Sequence, residues 1–404
     1  MTGDPQPDPL LLPEGTRVIH IGPPKTGTTY LQSAFHSCRA AVAEQGVHYA
    51  GRTRQPTAAV QAVLGNQSPN TGEVPAIGQW QGLVREVRRS KKRRVVVSSE
   101  FLADAKPEAI ETIVRDLGSD RVHVVVTLRP LARIIPSQWQ QFIQSGVRKP
   151  LDAWLDAIFN DPLKVTPTFW RRHRHDELIA RWADIVGPDN VTVIALDDRD
   201  HAMVTRVFER LVGLREGTLV ADQDLSNRSM TMPEIEVVRA FNEQYSAEGL
   251  GRPLHTMIMR FGAATYMKSR PPNPDEARVE APQWALDRAG EVAREMVDAI
   301  VASGVRIVGD PERLTEVPTS QLGNDPRPEV EISPQTAAVA AMGVLISSGL
   351  ARGDHRVPNT RAARVAVEPI ALVRVPTLQL LVVLWRRTRA AAERRTHALF
   401  RRNA

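Results

Sequence analysis

The stretch RVIHIGPPKTGTTYLQSAFHSCRAAVAEQG, residues 17–46, decides the fold. Arg17 to Ile21 is a short β-branched run of the kind that forms a buried strand of a parallel sheet. Beyond the turn, Leu31, Ala34, Phe35, Cys38 and Ala41 recur at helical steps of three and four, and Gly46 offers a stop. Between strand and helix lies Gly22-Pro23-Pro24-Lys25-Thr26-Gly27-Thr28-Thr29. A glycine-bearing turn at such a junction aims backbone N–H groups and a helix N-terminus at an anion. The hydroxyls of Thr28 and Thr29 add two donors, and Lys25 adds a mobile positive charge.

This loop nearly matches the triphosphate-binding pattern G-x-x-x-x-G-K-[ST]. Gly22, Gly27 and Thr29 fit it, but the lysine is missing from position 28 and stands at Lys25 instead. In a triphosphate loop the lysine starts the helix and reaches outward phosphates, with the next hydroxyl on magnesium. A lysine in mid-loop would press against the leaving side of a terminal anionic group. The plain alternative is an ordinary strand-to-helix turn.

Working outward, Arg94 to Ser98, Arg121 to Leu128 and Val191 to Leu196 read as further buried strands, and Val305 to Val308 as a last short one. Helical spacing fills Leu151 to Phe159, Asp176 to Val186, His201 to Val212, Met232 to about Ser246, and Trp284 to Ser303, with a proline-rich break at Arg270 to Pro274. Strand alternating with helix predicts an α/β fold: a P-loop-like parallel β-sheet flanked by helices on both faces. It would occupy residues 15–315. Residues 1–14 are acidic and proline-rich and predict a disordered N-terminus. Pro318, Pro326, Pro328 and Pro334 mark 316–335 as a linker to a helical, basic C-terminal extension, 336–404.

The chain has 404 residues, a net charge of +6 and a single cysteine, Cys38. One cysteine excludes an intrachain disulfide and a cysteine-rich metal site. No His or Cys pair has metal-ligand spacing, so no metal is expected. Only seven of the 52 basic residues are lysine; a cationic surface suits anionic ligands, though base composition of the gene explains an arginine excess equally well. The N-terminus lacks a secretory pattern, and no window offers the roughly 18 uninterrupted apolar residues of a spanning helix. A cytoplasmic placement is expected. The apolar run Ile370 to Trp385, followed by seven arginines from Arg386 to Arg402, suits peripheral membrane contact; nucleic acid is not expected as a partner.

A second anion anchor follows the third predicted strand. Thr127-Leu128-Arg129-Pro130 places Arg129 at the carboxyl edge of a parallel sheet, where open α/β folds hold ligands, and Ser137 stands eight residues on. Pro130 and Pro136 would shape the turn and helix start. A guanidinium fork plus a hydroxyl suits a phosphate, and a sheet-edge arginine paired with a carboxylate is the structural alternative. Two separate phosphate anchors without a triphosphate loop point to a 3′,5′-bisphosphate.

Pro24 to Thr29 together with Arg129 to Ser137 resembles the fingerprint of the sulfotransferases that use 3′-phosphoadenosine 5′-phosphosulfate (PAPS), with wording closest to bacterial and carbohydrate-modifying members. The resemblance covers roughly residues 15 to 230. It implies that Pro24, Lys25, Thr26, Gly27, Thr28 and Thr29 grip the 5′-phosphosulfate, and that Arg129 and Ser137 grip the 3′-phosphate. It further implies that Asn227, Arg228 and Ser229 belong to a nucleotide-covering loop, and that Ser137 restrains Lys25 until the acceptor arrives. The acceptor would be a hydroxyl or amine on a glycan, glycolipid or small metabolite.

The catalytic candidates are Lys25, Glu100 and Ser137. Glu100 ends Val95-Val96-Val97-Ser98-Ser99-Glu100 and would emerge beside the Lys25 loop. A carboxylate there can take the acceptor's proton, and the resemblance places a catalytic histidine or glutamate just after that strand. Capping the next helix, or pairing with an arginine, is its alternative role. His123 reads as a satisfied sheet residue and His20 as a minor second base. The cluster Arg171-Arg172-His173-Arg174-His175 suits either an anionic acceptor pocket or solvated helix-end charge, and Lys91-Lys92-Arg93-Arg94 a soluble face. Two other function classes compete: a kinase-like enzyme with an aberrant triphosphate loop, and a membrane-surface protein built on the basic tail.

Overall fold

The computed structural model describes residues 8–348 apart from 69–70, 162–165, 167, 221–227, 326 and 328. The strands are β1 (Arg17–Ile21), β2 (Val47–Tyr49), β3 (Arg94–Ser98), β4 (Val122–Leu128), β5 (Val191–Ala195) and β6 (Arg306–Val308). Their order is β2-β3-β1-β4-β5-β6, and every pairing is parallel. The chain crosses from one side of β1 to the other between β3 and β4, so the carboxyl ends of these three strands form the crevice that open α/β sheets use for ligands.

The helices in the first half are α1 (Thr28–Ser37), α2 (Arg39–Glu44), α3 (Thr57–Leu64), α4 (Gly78–Arg89), α5 (Pro107–Leu117), α6 (Leu131–Gln144), α7 (Leu151–Asn160) and α8 (Phe169–His173). Then come α9 (His175–Val186), α10 (Met203–Val212), α11 (Met232–Ala247), α12 (Arg252–His255), α13 (Ala264–Ser269), α14 (Gln283–Ala302) and α15 (Pro334–Ser347). Between α12 and α13, Thr256–Ala263 winds as a π-helix.

Alternation along the strands sends side chains to two faces. Ile19, Val97, Val124 and Val193 pack with α3, α4, α5, α9 and the end of α14, whereas Val18, Val96, Val125 and Ile194 pack with α1, α2 and α10. All seven residues of β4 are buried, as a doubly covered parallel strand requires. A third apolar cluster joins α6, α7, α8, α11, α13, α15 and the first half of α14 into a helical cap.

The boundaries differ from expectation in three places. Residues 8–14 dock instead of trailing: Leu12 is buried, its N–H donates to the Leu211 carbonyl at 3.0 Å, and Asp8 pairs with Arg210 at 2.8 Å. Arg94, read as part of a soluble face, is buried and donates to the carbonyls of Leu12 at 2.7 Å and Val212 at 3.3 Å. Pro136 lies inside α6, not at its start; its missing N–H leaves the Ala132 carbonyl without a helical partner. The extension is helical through α15, and the basic tail expected to touch a membrane lies outside the described residues. Among the described residues no helix is long and apolar enough to cross a membrane.

Five histidines are buried, and His255 is lowered by burial and by the charge of Arg252. Burial pushes His20 down to about 3, His123 to about 4 with help from Arg306, and His175 to about 4 against the pull of Asp176. His173 falls well below its usual value through burial and the charges of His175 and Arg172. In the unfolded chain these groups take up protons near 6.5. Between that pH and about 4 the unfolded state therefore binds more protons, so stability is full above pH 6.5 and is lost as the pH falls. Melting temperature should drop steeply between pH 6.5 and 4.5; a flat profile there would contradict the neutral, buried rings.

Candidate active site

The loop after β1 is built on two glycines and a strained lysine. A Cβ on Gly22 would lie 1.8 Å from Thr28 Cγ2 and 2.8 Å from Thr127 Oγ1, so only glycine lets the chain pass. Gly27, at φ 78°, precedes α1, whose first turn no side chain caps. Its leading N–H groups therefore remain available to an anion. Lys25 has φ 75°, alone among the described non-glycine residues in adopting the left-handed region. Such a conformation costs of order 1–3 kcal/mol and persists only where its surroundings impose it.

Those surroundings are a buried polar chain under the loop. The Thr26 hydroxyl donates to the Pro23 carbonyl at 2.8 Å and lies 3.3 Å from Thr127 Oγ1. Thr127 Oγ1 is 3.2 Å from His20 Nε2, and His20 Nδ1 is 2.7 Å from Ser98 Oγ, which also accepts from Gln32 at 3.1 Å. Three strands and α1 are thus tied to one loop. His20, fully buried and neutral, is a strut in this chain and does not reach the loop's outer surface. His123 contacts Thr192 Oγ1 at 2.8 Å, the satisfied sheet residue expected.

From above, Arg129 clasps the loop: its Nη1 donates to the Lys25 carbonyl at 3.5 Å and its Nε to Asp198 Oδ1 at 2.6 Å, with Nη2 on the same carboxylate. The carboxylate pairing set out as the structural alternative for Arg129 is therefore present. Arg133 shares Asp198, at 3.3 Å, so two guanidinium groups meet one acid and a positive charge is left over. Ser137 follows Arg133 by one turn of α6. Both line a cleft of about 730 Å³ together with Gln140, Ser229, Thr231 and Arg278.

Arg228 also borders this cleft, yet its donors are engaged. They reach both oxygens of buried Glu234 at 2.8 Å and the carbonyls of Met267, Lys268 and Arg270. Arg228 pins the start of α11 to the end of α13. Ser229 is exposed at the cleft's rim, and Asn227 lies outside the described residues.

Glu100 opens a 3-10 turn, Glu100–Asp104, immediately after β3. Capping there belongs to Ser99, whose Oγ accepts from the Phe101 N–H at 3.3 Å, and no described cation lies within ion-pair distance of the Glu100 carboxylate. Across from it, the Lys25 ammonium is lowered by burial, held up by the charge of Glu100 and pushed down again by Arg260. The structure thus brings Lys25 and Glu100 into one electrostatic site at the sheet's carboxyl edge. The basic cluster at 171–175 does something else. Arg172 forms a two-pronged pair with buried Asp104 at 2.7 and 2.5 Å, Arg174 pairs with Asp176, and both histidines are core residues.

Four residues escaped the sequence reading. Asp198 and Arg133 complete the Arg129 anchor; Arg260 and Lys268, from the π-helix and α13, face Lys25. Asp198 was signalled by its place just past a predicted strand beside the one carrying Arg129. Arg260 had no such signal, because the winding that aims it has no sequence period. Among the described residues, no group of three His, Cys, Asp or Glu converges as a metal site would.

No protein-family model matches the chain, and no curated protein matches it. Among solved structures it is similar to a sulfotransferase from Alicyclobacillus acidocaldarius, with 14% identity over 62% of this chain and 95% of that one, and a TM-score of 0.38.

The crowding at Gly22 has a direct consequence. Gly22→Ala should destabilise the protein by about 1–3 kcal/mol, the usual range for overpacking, and abolish anion binding by the loop. Retained binding with an unchanged melting temperature would show that the loop does not depend on this contact.

Proposed function

We propose that the chain transfers a sulfuryl group from PAPS to a hydroxyl or amine by in-line displacement. The observation that carries this reading is Lys25: a cation fixed in mid-loop by a left-handed backbone, opposite Glu100, with Thr28 where a triphosphate loop needs its lysine. The sheet-edge anchor supports it, since Arg129 and Arg133 against one Asp198, with Ser137 one turn on, suit the second phosphate of a 3′,5′-bisphosphate.

In this mechanism the acceptor oxygen or nitrogen attacks sulfur while the bond from sulfur to the bridging phosphate oxygen breaks. The acceptor's proton passes to Glu100. Lys25 stabilises the charge growing on the bridging oxygen, and the free N–H groups of α1 hold the 5′-phosphate. No covalent enzyme intermediate is needed; positioning and charge do the work, as in phosphoryl transfer.

Adenosine 3′,5′-bisphosphate, at a hundred times its dissociation constant, should stabilise the protein by roughly 2.7 kcal/mol, and ATP–magnesium and AMP should not. Lys25→Gly accepts the left-handed backbone without strain, so its fold should survive while PAPS turnover falls by about a hundredfold or more. Stabilisation by ATP–magnesium alone would replace this reading with a kinase-like one.

A further inference from the structure

Arg129 and Ser137, expected to act together on one phosphate, are separated by the structure. Arg129 stands before Pro130, the residue that caps α6, and each of its three guanidinium nitrogens already has a protein partner. Nε donates to Asp198 Oδ1 at 2.6 Å, Nη2 pairs with the same oxygen, and Nη1 donates to the Lys25 carbonyl at 3.5 Å. Handing Arg129 to a ligand would strip half-buried Asp198 of its closer partner and release the Lys25 carbonyl. A polar group abandoned in this way costs its full desolvation.

The next turn of chain offers a second guanidinium. Arg133, Pro136, Ser137 and Gln140 recur at i, i+3, i+4 and i+7, which puts them on one face of α6. All four line the cleft of about 730 Å³, and Arg129 does not. That volume lies in the range of pockets that take small molecules and cofactors.

Most of the charge along the cleft is engaged. Arg228 is held by Glu234, Glu276 by Arg270 and the Thr231 hydroxyl, each at 2.7 Å, and Glu280 accepts from the Gln321 N–H at 3.3 Å. Arg133 differs. Its Nε meets Asp198 Oδ2 at 3.3 Å, and its two Nη groups make no hydrogen bond among the described residues. Arg278 also lines the cleft, but no described acid pairs with it, whereas Asp198 fixes Arg133 by one end.

We propose that the donor's second phosphate is held by Arg133 and Ser137 in this cleft, and that Arg129 is a positioning residue for the Lys25 loop. A guanidinium with both Nη groups to offer, and a hydroxyl one helical turn on, suits a phosphate. Asp198 serves the two arginines differently: it closes the fork of Arg129 and steadies Arg133 from behind. This rests on the sulfuryl-transfer reading above and divides its second anchor into a ligand-binding arginine and a structural one.

The test is calorimetric titration of the full chain with adenosine 3′,5′-bisphosphate and, into the millimolar range, with AMP, which lacks the 3′-phosphate. Arg133→Met should weaken the bisphosphate about tenfold or more, the usual loss for a charge-assisted hydrogen bond, and leave AMP within about twofold. Arg129→Met should weaken both nucleotides by the same factor, because its effect passes through the loop at the 5′ end. The proposal is overturned if the preference for the bisphosphate over AMP survives Arg133→Met, or if Arg129→Met abolishes it. Should Arg129→Met fail to fold, Arg133→Met decides alone, since Arg133 is exposed and its loss should leave the melting temperature unchanged. If the unaltered chain binds neither nucleotide, or both equally well, the sulfuryl-transfer reading falls and the role of Arg133 with it. A preference that the unaltered chain shows and Arg133→Met retains sinks the role of Arg133 alone.

Discussion

The left-handed backbone at Lys25 is the constraint on which the carboxyl edge depends. An L residue at φ 75° returns to an extended or helical conformation unless something prevents it. Here the prevention comes from both sides. Below, the hydroxyl and imidazole chain from Thr26 through Thr127 and His20 to Ser98 fixes the loop to three strands; above, Arg129 takes the Lys25 carbonyl. The lysine's place in mid-loop separates this loop from the triphosphate pattern, which needs it at position 28.

The same economy governs charge. Two buried acids are held by arginines, Asp104 by Arg172 and Glu234 by Arg228 and Arg270. The Glu234 pair ties the start of α11 to the end of α13. At the Arg129 anchor the balance tips, because two arginines share Asp198.

The sheet was legible because its strands are buried on both faces and so read as continuous β-branched runs; Val95-Val96-Val97 and Val124-Val125-Val126 are plain examples. The edge strand Val47–Tyr49 was missed, being too short for any period to register. The loop residues were legible because glycine, lysine and threonine at a strand-to-helix junction have few other uses. The part Arg228 plays in the cap was not legible, because only the fold shows that Glu234 and the carbonyls of Ser229, Met267, Lys268 and Arg270 take its donors. Arg260 was illegible in principle. Its direction is set by a π-helix and by a glycine contact with Gly343, more than eighty positions later in the chain, and neither leaves a local mark.

That long-range contact changes what the C-terminal extension is. The proline-punctuated stretch before α15 reads as a linker to an appendage, yet Val317 and Val330 pack on the cap's apolar cluster, and Ala340 of α15 is buried within it. Thr336 and Gly343 are buried on the same helix, while Met342 and Leu345 face outward, so α15 is fitted along one side only. The fitted side meets the π-helix that carries Arg260. The crevice is thus assembled from two layers with different origins. Strand ends supply the rigid half, with the loop, Arg129 and Glu100. The cap supplies the other half, and its geometry depends on α15 remaining seated. Arg228 and Arg270, gripping Glu234, and α15, seated against the π-helix, hold that half together.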